Sequence, residues 1–82
     1  MPVLTLYTRH GCHLCEDMEQ QLMRLKQELD LVWVCVDIDA DESLRQQYNE
    51  WVPVLMGQSG EICHHFLDEV ALRDYLHFPT GF

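Results

Sequence analysis

The sequence predicts an α/β fold in which helices cover both faces of a mixed four-stranded sheet. A short apolar segment at residues 3–7 is followed by a long amphipathic helical pattern and a second apolar segment at residues 31–36. Two further apolar segments, at residues 51–56 and 61–66, flank a turn with glycine at both ends. A strand–helix–strand unit pairs in parallel through a right-handed crossover, whereas a hairpin is antiparallel. The order β-α-β-α-β-β-α therefore predicts a mixed sheet between helices.

The first two elements are predicted to be a buried strand and the helix that follows it. Residues 3–7 are apolar except at Thr5, as in a strand that is covered on both faces. Gly11 provides a permissive backbone for the turn after this strand. Apolar residues then recur every three or four positions, so the helix has one continuous apolar stripe. The stripe consists of Leu14, Met18, Leu22, Leu25 and Leu29.

The next two elements are predicted to be a buried strand and a short helix. Residues 31–36 are rich in β-branched side chains, which favours a strand, and Cys35 is expected to be a small core residue. Asp41 is predicted to be the N-cap of a helix that begins at residue 42 or 43 and ends at residue 49.

The last third of the chain is predicted to form a β-hairpin, with residues 57–60 as its loop, and a final helix capped by Asp68. On the second hairpin strand, His64 and His65 are expected to point to opposite faces, and the exposure of Cys63 is left open. The chain is expected to form one domain over residues 1–82 that ends in an irregular tail at residues 78–82. The inner face of the last helix is predicted to consist of Val70, Ala71, Leu72, Tyr75 and Leu76.

The composition limits the function. Five Lys and Arg residues stand against fourteen Asp and Glu residues, which gives a formal net charge of −9. Binding to nucleic acid or to an anionic membrane surface requires a basic patch, so we expect neither partner. The N-terminal residues do not resemble a signal peptide, which favours the cytoplasm. In that compartment four cysteines indicate redox or metal chemistry rather than structural disulfides.

The motif Cys12-His-Leu-Cys15 lies at the start of the first helix. Residues three apart on a helix are neighbours, with roughly 5–6 Å between Cβ atoms, so the two cysteines can form a disulfide with little backbone movement. The helix N-terminus carries a partial positive charge, which makes the Cys12 thiol more thiolate-like than a free cysteine. This spacing predicts a dithiol redox site with Cys12 as the nucleophile and Cys15 as the resolving thiol.

Three segments of the chain resemble a known family. The segments are Leu-Tyr-Thr-Arg-His-Gly-Cys-His-Leu-Cys at residues 6–15, Val-Asp-Ile-Asp at residues 36–39 and Val-Pro-Val-Leu at residues 52–55. They are similar to short bacterial glutaredoxin-like proteins of the thioredoxin-fold superfamily. The resemblance implies a thioredoxin-like fold and thiol–disulfide oxidoreductase activity. It also implies that Pro53 is cis beside the cysteines and that the backbone of Val52 is free to pair with a substrate as an added strand.

Glutathione is an open question because the chain departs from the glutaredoxin pattern. His13 and Leu14 stand where glutaredoxins typically have Pro and Tyr, and no Gly-Gly follows the fourth strand, where the chain continues as His65-Phe66-Leu67. Arg9 does match a basic residue that commonly meets a glutathione carboxylate. No resident cofactor is expected, and glutathione remains one candidate for the reductant.

Several other residues are candidates for tuning the site or binding substrate. Arg9, His10 and His13 favour the Cys12 thiolate, whereas the acidic residues Glu16 and Asp17 oppose it. The expected substrate is a protein or small-molecule disulfide, and the protein is expected to be a monomer. Candidates for substrate contact are Leu14, Trp51, Val52 and Pro53, where Trp51 either flanks a substrate groove or is a core or rim aromatic.

Two other functions stay open at this level. One is a non-catalytic module that docks a partner through the edge at Val52. The other is a zinc or iron–sulfur protein, since His10, Cys12, His13 and Cys15 are all capable of binding metal.

Overall fold

The structure, a computed structural model, describes residues 3–77 and has the predicted order of elements. Its four strands form one mixed sheet in the order β2-β1-β3-β4, so the predicted fold class is confirmed. No helix within the described residues is long and apolar enough to cross a membrane. The predicted irregular tail at residues 78–82 lies outside these residues. The elements are β1 Val3–Thr8, α1 His13–Leu25, β2 Val32–Asp37, a 3-10 helix Ile38–Ala40, α2 Glu42–Tyr48, β3 Val54–Gly57, β4 Gly60–His64 and α3 Glu69–His77.

The pairing of β1 determines which loops meet. β1 runs parallel to β2, as expected for a strand–helix–strand unit, and antiparallel to β3. In the second pairing Tyr7 lies opposite Val54, so the end of β1 is beside the start of β3. The turn that leads to Cys12 and the segment that precedes Val54 therefore lie at the same end of the two central strands.

Helices pack on both faces of the sheet. On one face the side chains of α1 and α3, chiefly Met18, Leu22 and Leu72, pack against Leu6 and Leu55, and all five are buried. Tyr7 lies on the opposite face because side chains alternate along a strand. There its ring stacks on Tyr48 of α2 with the ring centroids 4.7 Å apart. This contact places α2 on the face away from α1 and α3.

The predictions of a buried second strand and of Cys35 in the core are wrong. β2 lies at the edge of the sheet, and Val34 keeps 50% of its surface exposed. Cys35 is also exposed. α2 has only seven residues and covers its face of the sheet at Tyr7, which leaves Val34 on that face exposed. Cys35 pairs with Leu6 and therefore faces α1, where its position on the edge strand leaves it exposed beside Glu19.

The hairpin is tighter than predicted. Gly57 pairs with Gly60, so Gln58 and Ser59 alone form the loop, and Gly60 has a φ of +134°, a conformation that favours glycine. Cys63 faces the core and is 7% exposed, which answers the question that the sequence left open.

Two details of the helices also differ from the sequence prediction. α1 ends at Leu25, and Leu29 follows the helix, although it still packs against the core. Val70 is 71% exposed, so its assignment to the inner face of α3 is wrong. Leu72 is the buried residue of that helix, and Val70, two positions before it, points to the nearly opposite side of a helix with 3.6 residues per turn.

Replacing Gly57 by Ala will destabilise the protein. A Cβ at Gly57 would lie 2.5 Å from two carbons of the Tyr75 ring, whose hydroxyl accepts a hydrogen bond from the Gln58 N–H at 2.6 Å. The ring must move and this bond weakens, so we expect a loss of about 1–3 kcal/mol in the free energy of unfolding. Urea denaturation measures it. Ser59→Ala in the same loop is the control, and equal stability of the two variants would contradict the clash.

Candidate active site

Cys12 and Cys15 are joined by a disulfide at the start of α1. Cys12 is the N-cap residue, with extended backbone, and the two Cα atoms are 5.2 Å apart. The backbone N–H of Cys15 donates to Sγ of Cys12 at 3.1 Å. Cys12 is partly exposed, whereas only 4% of the Cys15 surface is exposed. The motif thus places one accessible and one covered sulfur at the positive end of the helix.

The turn before the cysteines depends on a glycine. Gly11 has a φ of +72°, which lies in the left-handed region where residues with a Cβ are disfavoured. This turn reverses the chain from β1 into α1 and leaves Cys12 at the helix cap.

The Val52–Pro53 peptide bond is cis, the geometry that the resemblance implies. Pro53 is buried, and its carbonyl accepts a hydrogen bond from the N–H of His65 at 2.8 Å. The N–H of Val52 donates to the carbonyl of Tyr48 at 3.1 Å, at the end of α2. The expectation that the backbone of Val52 is free for a substrate is therefore wrong for its N–H group.

Arg9 turns towards α2. Its Nε lies 3.4 Å from Oδ2 of Asp39, and its Nη1 donates to Oδ1 of Asn49. An open groove of about 440 Å³ lies here, bordered by Arg9, Arg45 and Trp51. The carboxylate of Asp39 offsets the charge of Arg9, so this groove is less cationic than its two arginines alone would make it.

The remaining predicted residues surround the motif. His10 and His13 are exposed, and Leu14 is half-buried. Leu14 lines a small cleft of about 120 Å³ together with His65 and Phe66, which follow β4. The structure thus brings the helix start next to the segment where the sequence lacks the glycines of glutaredoxins.

Trp51 and the two consecutive histidines form a cluster beside the cis peptide bond. Trp51 is 47% exposed, and its ring centroid lies 5.2 Å from that of His64 and 5.9 Å from that of His65. The rings of His64 and His65 are 5.0 Å apart, so the prediction that they point to opposite faces is wrong. β4 ends at His64, and His65 has a φ of +64°, which breaks the alternation of a strand. Trp51 lies at the rim of the groove that Arg9 borders and is not in the core.

His65 was not among the site residues that the sequence predicted. The available signal was the absence of Gly-Gly after the fourth strand, where the chain has His65 and Phe66 instead. Asp39 and Asn49, the partners of Arg9, were also missed because they are distant from it in sequence.

The two other cysteines are held as thiols. Burial raises the pKa of Cys63. Desolvation, followed by a hydrogen bond from Sγ of Cys35 to Oε2 of Glu19 at 3.2 Å, raises the pKa of Cys35 to about 11. Neither sulfur lies at the N-terminus of a helix, as that of Cys12 does.

The residues that the structure describes do not assemble a metal site. Within residues 3–77, no group of three or more His, Cys, Asp or Glu side chains is placed to hold a metal ion. Cys12 and Cys15 are bonded to each other.

Comparison with known proteins assigns the family. Residues 3–77 match the glutaredoxin-like domain (DUF836). The chain belongs to this glutaredoxin-like family. An uncharacterized protein of Mycobacterium tuberculosis is 31% identical over 77 residues, which cover 88% of this chain and 79% of the relative. An uncharacterized protein of Mycobacterium bovis matches to the same extent.

Solved structures show the same fold. A protein from Nitrosomonas europaea, solved by solution NMR, is 38% identical, has a TM-score of 0.81 and covers 90% of this chain and 89% of its own. An X-ray structure from X. campestris is 35% identical with a TM-score of 0.67, covering 90% and 95%. A thioredoxin from Halobacterium salinarum, 23% identical with a TM-score of 0.62 and coverage of 93% and 72%, shares the fold. The glutaredoxin-like thioredoxin fold and its Cys-x-x-Cys disulfide are consistent with a redox role.

Removing the charge of Glu19 will make Cys35 more reactive. In the oxidised protein, alkylation of Cys35 by iodoacetamide at pH 8 will be slow, because with a pKa of about 11 only about one thiol in a thousand is ionised. The rate will rise as the pH approaches 11. Glu19→Gln removes a carboxylate that raises this pKa, so we expect severalfold faster labelling at pH 8, measured by mass spectrometry. Glu16→Gln, on an exposed part of the same helix, is the control, and equal rates in both variants would contradict the role of Glu19.

Proposed function

We propose that this protein is a thiol–disulfide oxidoreductase in which Cys12 attacks a substrate disulfide and Cys15 resolves the mixed disulfide. The observation that carries the proposal is the difference in exposure between the two cysteines. Cys12 is accessible at the helix cap, while Cys15 is 4% exposed behind it. A substrate sulfur can reach the first cysteine, and the second is placed to attack only the first.

In the first step the Cys12 thiolate attacks one sulfur of the substrate disulfide. A bond forms between Cys12 Sγ and that sulfur, the substrate S–S bond breaks, and the other substrate sulfur leaves as a thiolate that takes up a proton. In the second step the Cys15 thiol loses its proton and attacks Cys12 Sγ. The second substrate thiol is released, and two electrons have passed from the cysteine pair to the substrate.

Local groups support the charge of the attacking sulfur. The N–H of Cys15 points at Cys12 Sγ, and the unpaired amides at the start of α1 add their partial positive charge. The exposed His10 and His13 favour the thiolate when protonated, while Glu16 and Asp17 in the same turn oppose it. The helix and the Cys15 amide therefore supply the fixed part of this stabilisation.

The substrate is proposed to be a protein or small-molecule disulfide that meets the surface formed by Leu14, Trp51, Val52 and Pro53. Since the N–H of Val52 bonds to Tyr48, the carbonyl of Val52 is the backbone group proposed to accept a bond from an extended substrate. A docking module that relied on both backbone groups of Val52 would have to break the Tyr48 bond first.

The cycle is proposed to need no resident cofactor. An external thiol, with glutathione as one candidate, reduces the Cys12–Cys15 disulfide and is itself oxidised to a disulfide. The cytoplasm, where thiols are kept reduced, is the proposed compartment. The protein is proposed to act as a monomer.

Replacing Cys12 by Ser will abolish the reduction of a model polypeptide disulfide such as insulin, because the attacking sulfur is lost. Replacing Cys15 by Ser will instead accumulate a mixed disulfide with Cys12, since the resolving thiol is missing. Turnover assays and intact mass spectrometry measure the two outcomes. Cys35→Ser is the matched control and should retain wild-type turnover. Undiminished activity of the Cys12→Ser protein would overturn the proposal.

Reduction of the disulfide by glutathione will speed up with salt. The protein carries a net charge of −9, Asp39 offsets Arg9, and the attacking form of glutathione is also anionic. Screening this repulsion between about 10 mM and about 0.5 M salt should raise the rate constant roughly two- to fivefold. Stopped-flow Trp fluorescence follows the reaction, and cysteamine, whose thiolate form is neutral overall, is the control with a flat salt dependence. A glutathione rate that falls with salt would show that Arg9 and Arg45 attract the anion instead.

A further inference from the structure

His65 holds the segment that contains Trp51 and Pro53 from both ends. Its ring Nε2 is 2.8 Å from the carbonyl oxygen of Glu50, and its backbone N–H donates to the carbonyl of Pro53 at 2.8 Å. A carbonyl only accepts, so Nε2 carries the hydrogen. Residues 50–53 are therefore fixed by His65 on one side, while the carbonyl of Tyr48 accepts the N–H groups of Trp51 and Val52 on the other.

The backbone conformation of His65 allows its ring to reach Glu50 while its N–H bonds to Pro53. Its φ of +64° and the bond from the Phe66 N–H to the His64 carbonyl at 2.6 Å form a tight turn immediately after β4. The turn directs the imidazole back over the indole of Trp51, with 21° between the ring planes. A glycine would make the same turn with less strain but would have no ring to place there.

The position of His65 connects this segment to the cysteine motif. His65 and Leu14 line the same cleft of about 120 Å³, and Leu14 lies between Cys12 and Cys15 in sequence. The exposed Trp51 stacks on the His65 ring and lies at the rim of the larger groove. A polypeptide disulfide carries residues on both sides of its sulfur atoms that can contact Trp51, whereas hydroxyethyl disulfide carries none.

We propose that His65 is a positioning residue that holds the Trp51–Pro53 segment ready for polypeptide disulfides. This inference rests on the proposed oxidoreductase function and deepens it by separating two classes of substrate. The ring of His65 contributes to the binding of polypeptide disulfides through Trp51, and it contributes nothing to sulfur exchange at Cys12. Small disulfides therefore do not depend on it.

The test compares wild type with His65→Gly and His65→Asn, two residues that tolerate the left-handed turn but do not retain the ring contacts. KM and kcat are measured with insulin and with hydroxyethyl disulfide. The emission of Trp51 is recorded separately in a Trp33→Phe background. Glu61→Gln is the control, because it weakens the 2.7 Å contact with His64 and leaves the contacts of His65 in place.

We expect both variants to raise KM for insulin about tenfold, in keeping with the loss of a hydrogen bond and a ring contact, and to change kcat less than about twofold. Rates with hydroxyethyl disulfide should equal those of wild type, and the Trp51 emission should shift to longer wavelength. Glu61→Gln should leave all four readouts unchanged. If the Gly variant does not fold, as judged by circular dichroism, the Asn variant decides.

Unchanged KM for insulin in a folded variant overturns the inference, and so does an equal loss with both disulfides, which would place His65 in the sulfur chemistry or the core. An unshifted Trp51 emission overturns the positioning contact itself. None of these three results contradicts the proposed function. Absence of turnover by wild type with both disulfides overturns the proposed function and the inference with it.

Discussion

One row of paired residues across the sheet determines where the site is. Val36, Tyr7, Val54 and His64 lie side by side on the four strands, through the pairings of β2 with β1, β1 with β3 and β3 with β4. Each functional segment begins just past this row. Arg9 and the cysteine turn follow β1, Pro53 precedes β3, and His65 follows β4. The register is specified by burial, because a slip of one residue would turn the fully buried Leu6 and Leu55 to the opposite face.

The four cysteines divide into one disulfide at the helix start and two free thiols with different surroundings. Cys12 has the amide of Cys15 and the positive end of a helix against its sulfur. Cys63 has a core around it, and Cys35 has the carboxylate of Glu19, which opposes ionisation even though the residue is exposed. In a chain with a net charge of −9, the positive end of α1 is the local feature that favours a thiolate at Cys12, against the nearby Glu16 and Asp17. The proposed role of Cys12 thus rests on its placement at the helix start.

The sequence predicted best what depends on neighbours along the chain. Asp41 accepts from the N–H groups of Ser43 and Leu44, and Asp68 accepts from that of Ala71, as expected for caps that act within one turn. The cysteine spacing predicted the disulfide for the same reason. The burial of Cys35 failed because β-branched composition does not tell an edge strand from a central one. Local patterns also could not predict three tertiary contacts. These are the bonds of Arg9 to Asp39 and Asn49, the bond of Val52 to Tyr48, and the ring cluster at His65.

The left-handed residue after β4 links the departure from the glutaredoxin pattern to the shape of this site. A non-glycine residue at positive φ costs free energy, of order 1 kcal/mol or more, and persists when surrounding contacts determine its conformation. At His65 those contacts are identifiable, since the carbonyls of Glu50 and Pro53 and the ring of Trp51 all engage it. Glycine would relieve the backbone and abandon two of the three. His65 stands where glutaredoxins have glycine, and its contacts hold the segment beside the cis peptide bond. The backbone strain and the contacts that offset it are therefore both located at His65.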